Sequence, residues 1–215
     1  MFYAGLDLGQ AQDYTALVVV DKLEHRLFHT VGIKRYPLGT PYPAIVEDVC
    51  RLRAEKLSHA PLIIDGTGVG RAVVDLFRHR LGRAAVPVQI TAGNTAHEGD
   101  DNWQYVPKRD LIGAVQVLLQ QGQLKFDAMH PEAPALIHEL ENYQVKITAA
   151  ANDTYNAREG LHDDLVLALA LALWYPLYGQ PRASALVQGI ARGGWGLGQR
   201  DEDDGRQVVW RRVRG

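Results

Sequence analysis

The stretch Tyr3-Ala4-Gly5-Leu6-Asp7-Leu8-Gly9, followed after a polar turn by Asp13-Tyr14-Thr15-Ala16-Leu17-Val18-Val19-Val20-Asp21, decides how the chain begins to fold. Tyr3–Leu8 is short and apolar and runs into Gly-Gln-Ala-Gln-Asp, which suits a turn. Thr15–Asp21 is rich in β-branched side chains and bounded by charge, so it reads as a buried strand. His25–Arg35 alternates loosely between apolar and polar and predicts a third strand. Together the three predict an antiparallel meander. Successive strand side chains point to opposite faces, so Leu6 and Leu8 turn away from the face that carries Asp7.

Beyond residue 40 the pattern changes. Ile45, Val46, Val49, Leu52 and Leu57 have helical spacing and predict a helix over Pro43–Leu57. Pro61–Asp65 is an apolar strand that ends in an aspartate, and Gly66-Thr67-Gly68-Val69-Gly70 is a turn. Arg71–Leu81 predicts an amphipathic helix with Val73, Val74, Leu76 and Phe77 on one side. Val86–Ile90 is a short strand, and residues 91–106 a loop or small hairpin. Pro107–Gln121 predicts a helix with proline in its first turn, then Leu111, Ile112, Val115, Val117 and Leu118. Pro131–Asn142 reads as helix, Tyr143–Thr148 as strand, and Asp163–Tyr178 as the closing helix. This order defines an α/β domain with a mixed sheet, antiparallel at one edge and parallel elsewhere, flanked by helices joined through right-handed crossovers. From about Gly179 glycine, arginine, glutamine and acidic residues replace the apolar periodicity. The expected division is a folded domain over 1–178 and a flexible tail over 179–215, ending in Arg211, Arg212 and Arg214.

Composition narrows the function classes. The formal charge is -2, so nucleic acid must be met by a local patch or by metal ions that offset acidic groups. The single cysteine, Cys50, leaves no internal disulfide and no cysteine-built zinc site, and fits a reducing cytosol. The longest apolar run, Leu165–Leu173, is far shorter than the roughly 20 residues that span a bilayer. It predicts a buried helix, and no membrane partner is expected.

Aspartates mark the ends of three apolar segments: Asp7 on the first strand, Asp65 closing the Pro61–Asp65 strand, and Asp163 and Asp164 opening the last helix. An ionised carboxylate against an apolar core is expensive without a partner. Three such places suggest a shared partner, and a divalent cation is the natural one. Hard cations such as Mg2+ and Mn2+ prefer oxygen ligands. Two of them held roughly 3.5–4 Å apart can activate water and stabilise a leaving oxygen in phosphodiester cleavage. The glycines beside Asp7 and Asp65 would let a DNA backbone come close. A helix start also favours negative charge. Structural roles compete: Asp7 and Asp65 also suit turns, and one of Asp163 and Asp164 suits a helix N-cap.

Four segments in order carry a resemblance: Gly5–Gly9 with Asp13–Asp21, Leu62–Gly70 (LIIDGTGVG), Val106–Phe126 (VPKRDLIGAVQVLLQQGQLKF) and His162–Trp174 (HDDLVLALALALW). Over roughly residues 1–178 the chain resembles the nuclease domains of phage terminase large subunits. The resemblance implies a ribonuclease H-like fold. It also implies a metal-dependent endonuclease that uses two Mg2+ or Mn2+ ions to cut double-stranded DNA, with little sequence preference, during viral genome packaging. By the same resemblance Asp7, Asp65 and Asp164 are metal ligands, Asp163 their neighbour or alternate, and Asp13 a further acid near the metals. Expected partners are double-stranded DNA, a packaging ATPase motor in the same or another chain, and portal and small terminase proteins. The expected place is the cytoplasm of an infected or lysogenic bacterial host. No G-x-x-x-x-G-K-[ST] phosphate loop occurs, so the motor is expected in a removed part of the chain or in a separate protein.

Lys108 and Arg109 sit at a helix start, where cations are electrostatically disfavoured, which points to phosphate contact. Arg71 and His162 are further DNA-binding candidates. Arg78, Arg80 and Arg83 fit either a DNA-facing patch or a solvated helix face. His97 reads as an inert loop residue, and Trp103 and Tyr105 as packing residues. Gly66, Gly68 and Gly70 resemble a phosphate loop only superficially, because no lysine follows. The competing functions are a junction-resolving nuclease of the same fold, an actin-like ATP-binding domain, and a non-catalytic module that docks a packaging motor.

Overall fold

A computed structural model of the chain describes residues 1–9, 13–57, 59–68, 70–147, 153–157 and 162–179. One compact unit runs Met1–Gly179. The expected tail, with Arg211, Arg212 and Arg214, lies outside the described residues beyond Gly179, as does Thr148.

The strands are β1 (Phe2–Asp7), β2 (Ala16–Lys22), β3 (Phe28–Arg35), β4 (Leu62–Asp65), β5 (Ala85–Thr91), β6 (His97–Glu98), β7 (Gln104–Pro107), β8 (Leu124–Phe126), β9 (Tyr143–Ile147) and β10 (Asp153–Ala157). The helices are α1 (Tyr42–Lys56), α2 (Gly70–Leu81), α3 (Lys108–Gln120), α4 (Ala133–Asn142) and α5 (Asp164–Trp174). One eight-stranded sheet has the order β6-β7-β5-β4-β1-β2-β3-β8, and β9 and β10 form a separate antiparallel pair. The meander β1-β2-β3 is antiparallel, with a register shift between Val19 and Val20. On the other side of β1, strands β4, β5 and β7 follow in parallel.

Strand alternation explains the two cores. Tyr3, Val18, Val20 and Ile63 join Leu111, Leu118, Leu136 and the α5 side chains in one cluster. Ala4, Leu6, Leu17, Val19, Leu62 and Ile64 join Ile45, Val49, Val74 and Phe77 in the other. The sheet is thus buried on both faces, by α3, α4 and α5 on one and by α1 and α2 on the other. Every residue of α5 is buried, as the unbroken apolar run after Asp164 requires.

Several expected features differ in detail. Glu24–Arg26 forms a 3-10 turn, so the strand expected from His25 begins at Phe28. The segment 91–106 does form a hairpin, but its second strand also extends the main sheet beside β5. Pro107 ends β7 and stands at the N-cap of α3 rather than inside its first turn. Leu76 and Val117, expected on buried helix faces, are 43% exposed each. The short strand β8, unassigned from sequence, pairs in parallel with β3 and covers the outer edge of the meander.

Candidate metal centre

Parity along the strands puts the acids together. Asp7 shares its face with Gly5 and Tyr3, and Asp65 shares its face with Ile63, so both carboxyls lie on the side that α5 covers. The parallel register pairs Leu6 with Ile64, so Asp7 and Asp65 end adjacent strands side by side. Helix α5 lies across β1 at very short range. A side chain at Gly5 would run into the Ala168 carbonyl and come within 2.7 Å of the Ala172 nitrogen. Asp7 lies two residues beyond Gly5, and Asp164 one helical turn before Ala168, displacements of about 6–7 Å each along their elements. The helix therefore delivers its first residue to the end of β1.

Asp7 and Asp164 are buried, at 8% and 4% exposure. Burial pushes the Asp7 carboxyl well above the usual carboxylate range, and the neighbouring charges of Asp65, Asp164 and Asp163 push it further, against Lys108. Burial likewise raises Asp65, opposed by hydrogen bonds from Thr67, by Lys108 and by a hydrogen bond with Asp7. Both carboxyls are therefore held above the usual carboxylate range, Asp7 the further of the two. Asp164 is pushed up to about 6 by burial, with Asp163 and Asp13 adding repulsion and His162 and Arg35 opposing it. One oxygen of Asp164, Oδ2, is fully buried with no hydrogen-bond partner among the described residues. His162 Nδ1 approaches it at 3.7 Å.

Asp163 is half-buried and pairs with Lys108, whose Nζ lies 3.3 Å from Asp163 Oδ2. It occupies the N-cap position of α5, yet neither it nor Asp164 caps the helix with its side chain. The expected N-cap position thus falls on Asp163, without a capping bond from its side chain. Glu139 of α4 supplies that cap instead: its Oε2 accepts from the main-chain N–H of Leu165 at 3.0 Å and of Val166 at 3.3 Å. Its other oxygen is bound by Arg35 of β3. Nothing in local spacing marks Glu139, because its partners are more than twenty residues away.

The remaining candidates are spread more widely. Asp13 is exposed and reaches the cluster only through its charge on Asp164. His162 is exposed and meets the Tyr14 ring edge-on at 4.9 Å. Arg109 donates to the Asn94 carbonyl at 2.6 Å, and Arg71 lies over the Trp103 ring at 5.2 Å. Arg78 donates to the Asp101 carbonyl. Trp103 is buried, while His97 stacks on Tyr105 with ring centroids 4.9 Å apart. The glycines beside the acids serve internal packing rather than an open approach for DNA. A side chain at Gly66 would meet Trp103 at 2.7 Å, and one at Gly9 would run into the main chain of Asp13 and Tyr14.

Among the described residues no three histidine, cysteine, aspartate or glutamate side chains already form a metal-holding group. The donor set nevertheless fits a hard divalent cation. It is all oxygen, it gathers four aspartates around one sheet end, and it contains a buried carboxylate oxygen that accepts no hydrogen bond among the described residues. Mg2+ in particular keeps several waters and takes one or two carboxylates, so a closed protein cage is not required.

A mixed sheet with acids at the ends of adjacent central strands and at the start of a covering helix defines a ribonuclease H-like domain. The family model described as the terminase RNaseH-like domain matches residues 4–175, and the chain belongs to that family. The terminase large subunit of Thermus virus P23-45 is 27% identical over 175 residues, which is 80% of this chain and 31% of that protein. The chain thus spans about a third of that relative's length. The large terminase nuclease of thermophilic phage G20c, solved with bound magnesium, superposes with a TM-score of 0.61 at 25% identity, covering 80% of each chain. The nuclease domain of the bacteriophage SPP1 large terminase, solved with bound manganese, gives a TM-score of 0.52 at 14% identity, covering 80% of this chain and 84% of that one. At that identity the likeness concerns the fold.

Proposed function

We propose that the domain is a metal-dependent endonuclease that hydrolyses phosphodiester bonds of double-stranded DNA, acting as the nuclease part of a genome-packaging terminase. The observation that carries this reading is the convergence of Asp7, Asp65 and Asp164 at one sheet end, with Asp164 Oδ2 buried and accepting no hydrogen bond among the described residues. Family membership and the metal-bound terminase nucleases of similar fold support it. On this reading Asp7, Asp65 and Asp164 hold two Mg2+ or Mn2+ ions, with Asp163 beside them. Once bound, such ions activate water and stabilise the leaving oxygen.

The chain's own groups do the rest. Positive charge taken up there would favour the ionised carboxylates, offsetting the burial that raises Asp7 and Asp65 and the acidic neighbours that add to it at Asp7. Lys108 holds Asp163 and balances part of the cluster's charge. Arg71, Arg109 and His162 are assigned to phosphate contact, and Asp13 to the electrostatics of Asp164. The packaging motor, portal and small terminase partners, and the bacterial host cytoplasm, belong to the same proposal.

The test is Mn2+-dependent cleavage of linear, supercoiled and four-way DNA by the native chain and by Asp7→Ala, Asp65→Ala and Asp164→Ala. Each variant is expected to lose at least about a hundredfold in rate while keeping its fold. Undiminished cutting by all three rules the site out, and selective cutting of four-way DNA redirects the substrate assignment. Mn2+ titration is expected to saturate at two ions per chain.

A further inference from the structure

The start of α5 has an unusual division of labour. A helix leaves its first N–H groups without intrahelical partners, and aspartate at the N-cap is among the commonest ways to satisfy them. Here two consecutive aspartates stand at that point and neither is used so. Asp163 adopts φ -128°, ψ 13°, away from the extended conformation typical of a capping residue, and its carboxylate goes to Lys108. Asp164 keeps Oδ2 buried without a hydrogen bond among the described residues, with His162 Nδ1 3.7 Å away. The N–H groups of Leu165 and Val166 are taken by Glu139, a 7% exposed carboxylate from another helix. Arg35 binds the remaining oxygen of Glu139, and its guanidinium lies over the Tyr14 ring at 5.1 Å. Tyr14 in turn touches His162.

We propose that Glu139, held by Arg35, is a positioning residue for the metal site: by capping α5 from outside it keeps the Asp164 carboxylate from turning back to cap its own helix. This inference rests on the metal reading above. Its logic is competition for the same donors. Without Glu139, the Leu165 and Val166 N–H groups lose their acceptor, and the side chains of Asp163 and Asp164 are acceptors next to them in the chain. An aspartate recruited as a cap is withdrawn from the ion. What matters on this argument is an acceptor at the correct reach, more than the charge of Glu139.

Two variants separate reach from charge. Glu139→Gln keeps an acceptor oxygen at the same distance for the helix N–H groups, removes the charge and gives up the bond to Arg35, because its amide nitrogen can only donate. Glu139→Asp keeps the charge and draws the acceptor back by one methylene. Mn2+ affinity is measured by calorimetry on the folded chain, with thermal melts in chelator beside it. Glu139→Asp is expected to weaken Mn2+ binding by about tenfold or more and Glu139→Gln by less than about threefold, in the range seen when outer partners of metal ligands are changed. A crystal structure of Glu139→Asp is expected to show an aspartate side chain accepting from the Leu165 or Val166 N–H. A purely structural cap lowers melting temperature in both variants and leaves the affinity of the folded protein unchanged; that result overturns the positioning role. Weakening by Glu139→Gln equal to that by Glu139→Asp overturns it as well. A native chain that binds no Mn2+ removes the metal reading itself, which distinguishes the two failures.

Discussion

Asp164 shows how a single carboxyl reports the state of the cluster. In the folded chain it titrates at about 6, against the usual 3.8. Between those values the folded state binds more protons than the unfolded one, so stability falls as pH rises through that window. The favourable contribution is complete below about pH 4 and is gone above about pH 6. Asp7 is shifted in the same direction, by burial first and by its acidic neighbours second. Asp164→Asn should therefore stabilise the metal-free protein at pH 8 by about 1–2 kcal/mol, a figure discounted for solvent screening, and leave it unchanged near pH 4. Urea melts in chelator at the two pH values check this. Equal gains at both pH values argue against burial of the ionised carboxylate as the cause. Adding Mn2+ should reverse the order, because the native chain gains a ligand that the variant lacks.

At the scale of elements, the contact between β1 and α5 is made by main chain on main chain. Gly5→Ala inserts a methyl group where the Ala168 carbonyl and Ala172 nitrogen already stand. It should cost about 3 kcal/mol and weaken Mn2+ binding together, since the helix must retreat from Asp7. Denaturant melts and calorimetry on the same variant test this, and stability lost without any change in affinity would show that the two elements adjust independently. Trp103→Ala should cost about 3–5 kcal/mol by opening a cavity beneath Gly66. Elements with strong periodicity were legible in the sequence: the meander, β4, and all five helices within a few residues. Those missed have little signal of their own. Leu124–Phe126 is three residues long and becomes a strand only because β3 offers an edge. Gln104–Pro107 ends in a proline, which reads as a helix start, and becomes a strand by pairing with β5. Asp153–Ala157 carries no apolar alternation and pairs with β9. In the site, aspartates at the ends of apolar segments could be recognised because burial makes them conspicuous. Glu139 could not, since its role exists only through partners brought near by folding.

For the whole molecule, the nearly neutral total conceals a strongly acidic spot that, on the proposed function, must meet a polyanion. Binding of divalent ions should stabilise the folded chain by about 2.7 kcal/mol at a concentration one hundred times the dissociation constant, seen as a melting shift that chelator reverses. DNA affinity should fall with salt, and Arg109→Gln should reduce the slope of log K against log salt by about one if its guanidinium meets a phosphate. An unchanged slope would confine Arg109 to its bond with the Asn94 carbonyl. The absence of any side chain at residue 5 has one more consequence. With nothing compressible between strand and helix, the acids at their ends ride on a single stiff block, and the spacing between them is no soft coordinate. On the proposed function, any on–off control of cutting then acts through rotation of the acidic side chains or the arrival of DNA, not through sliding of the strand against the helix.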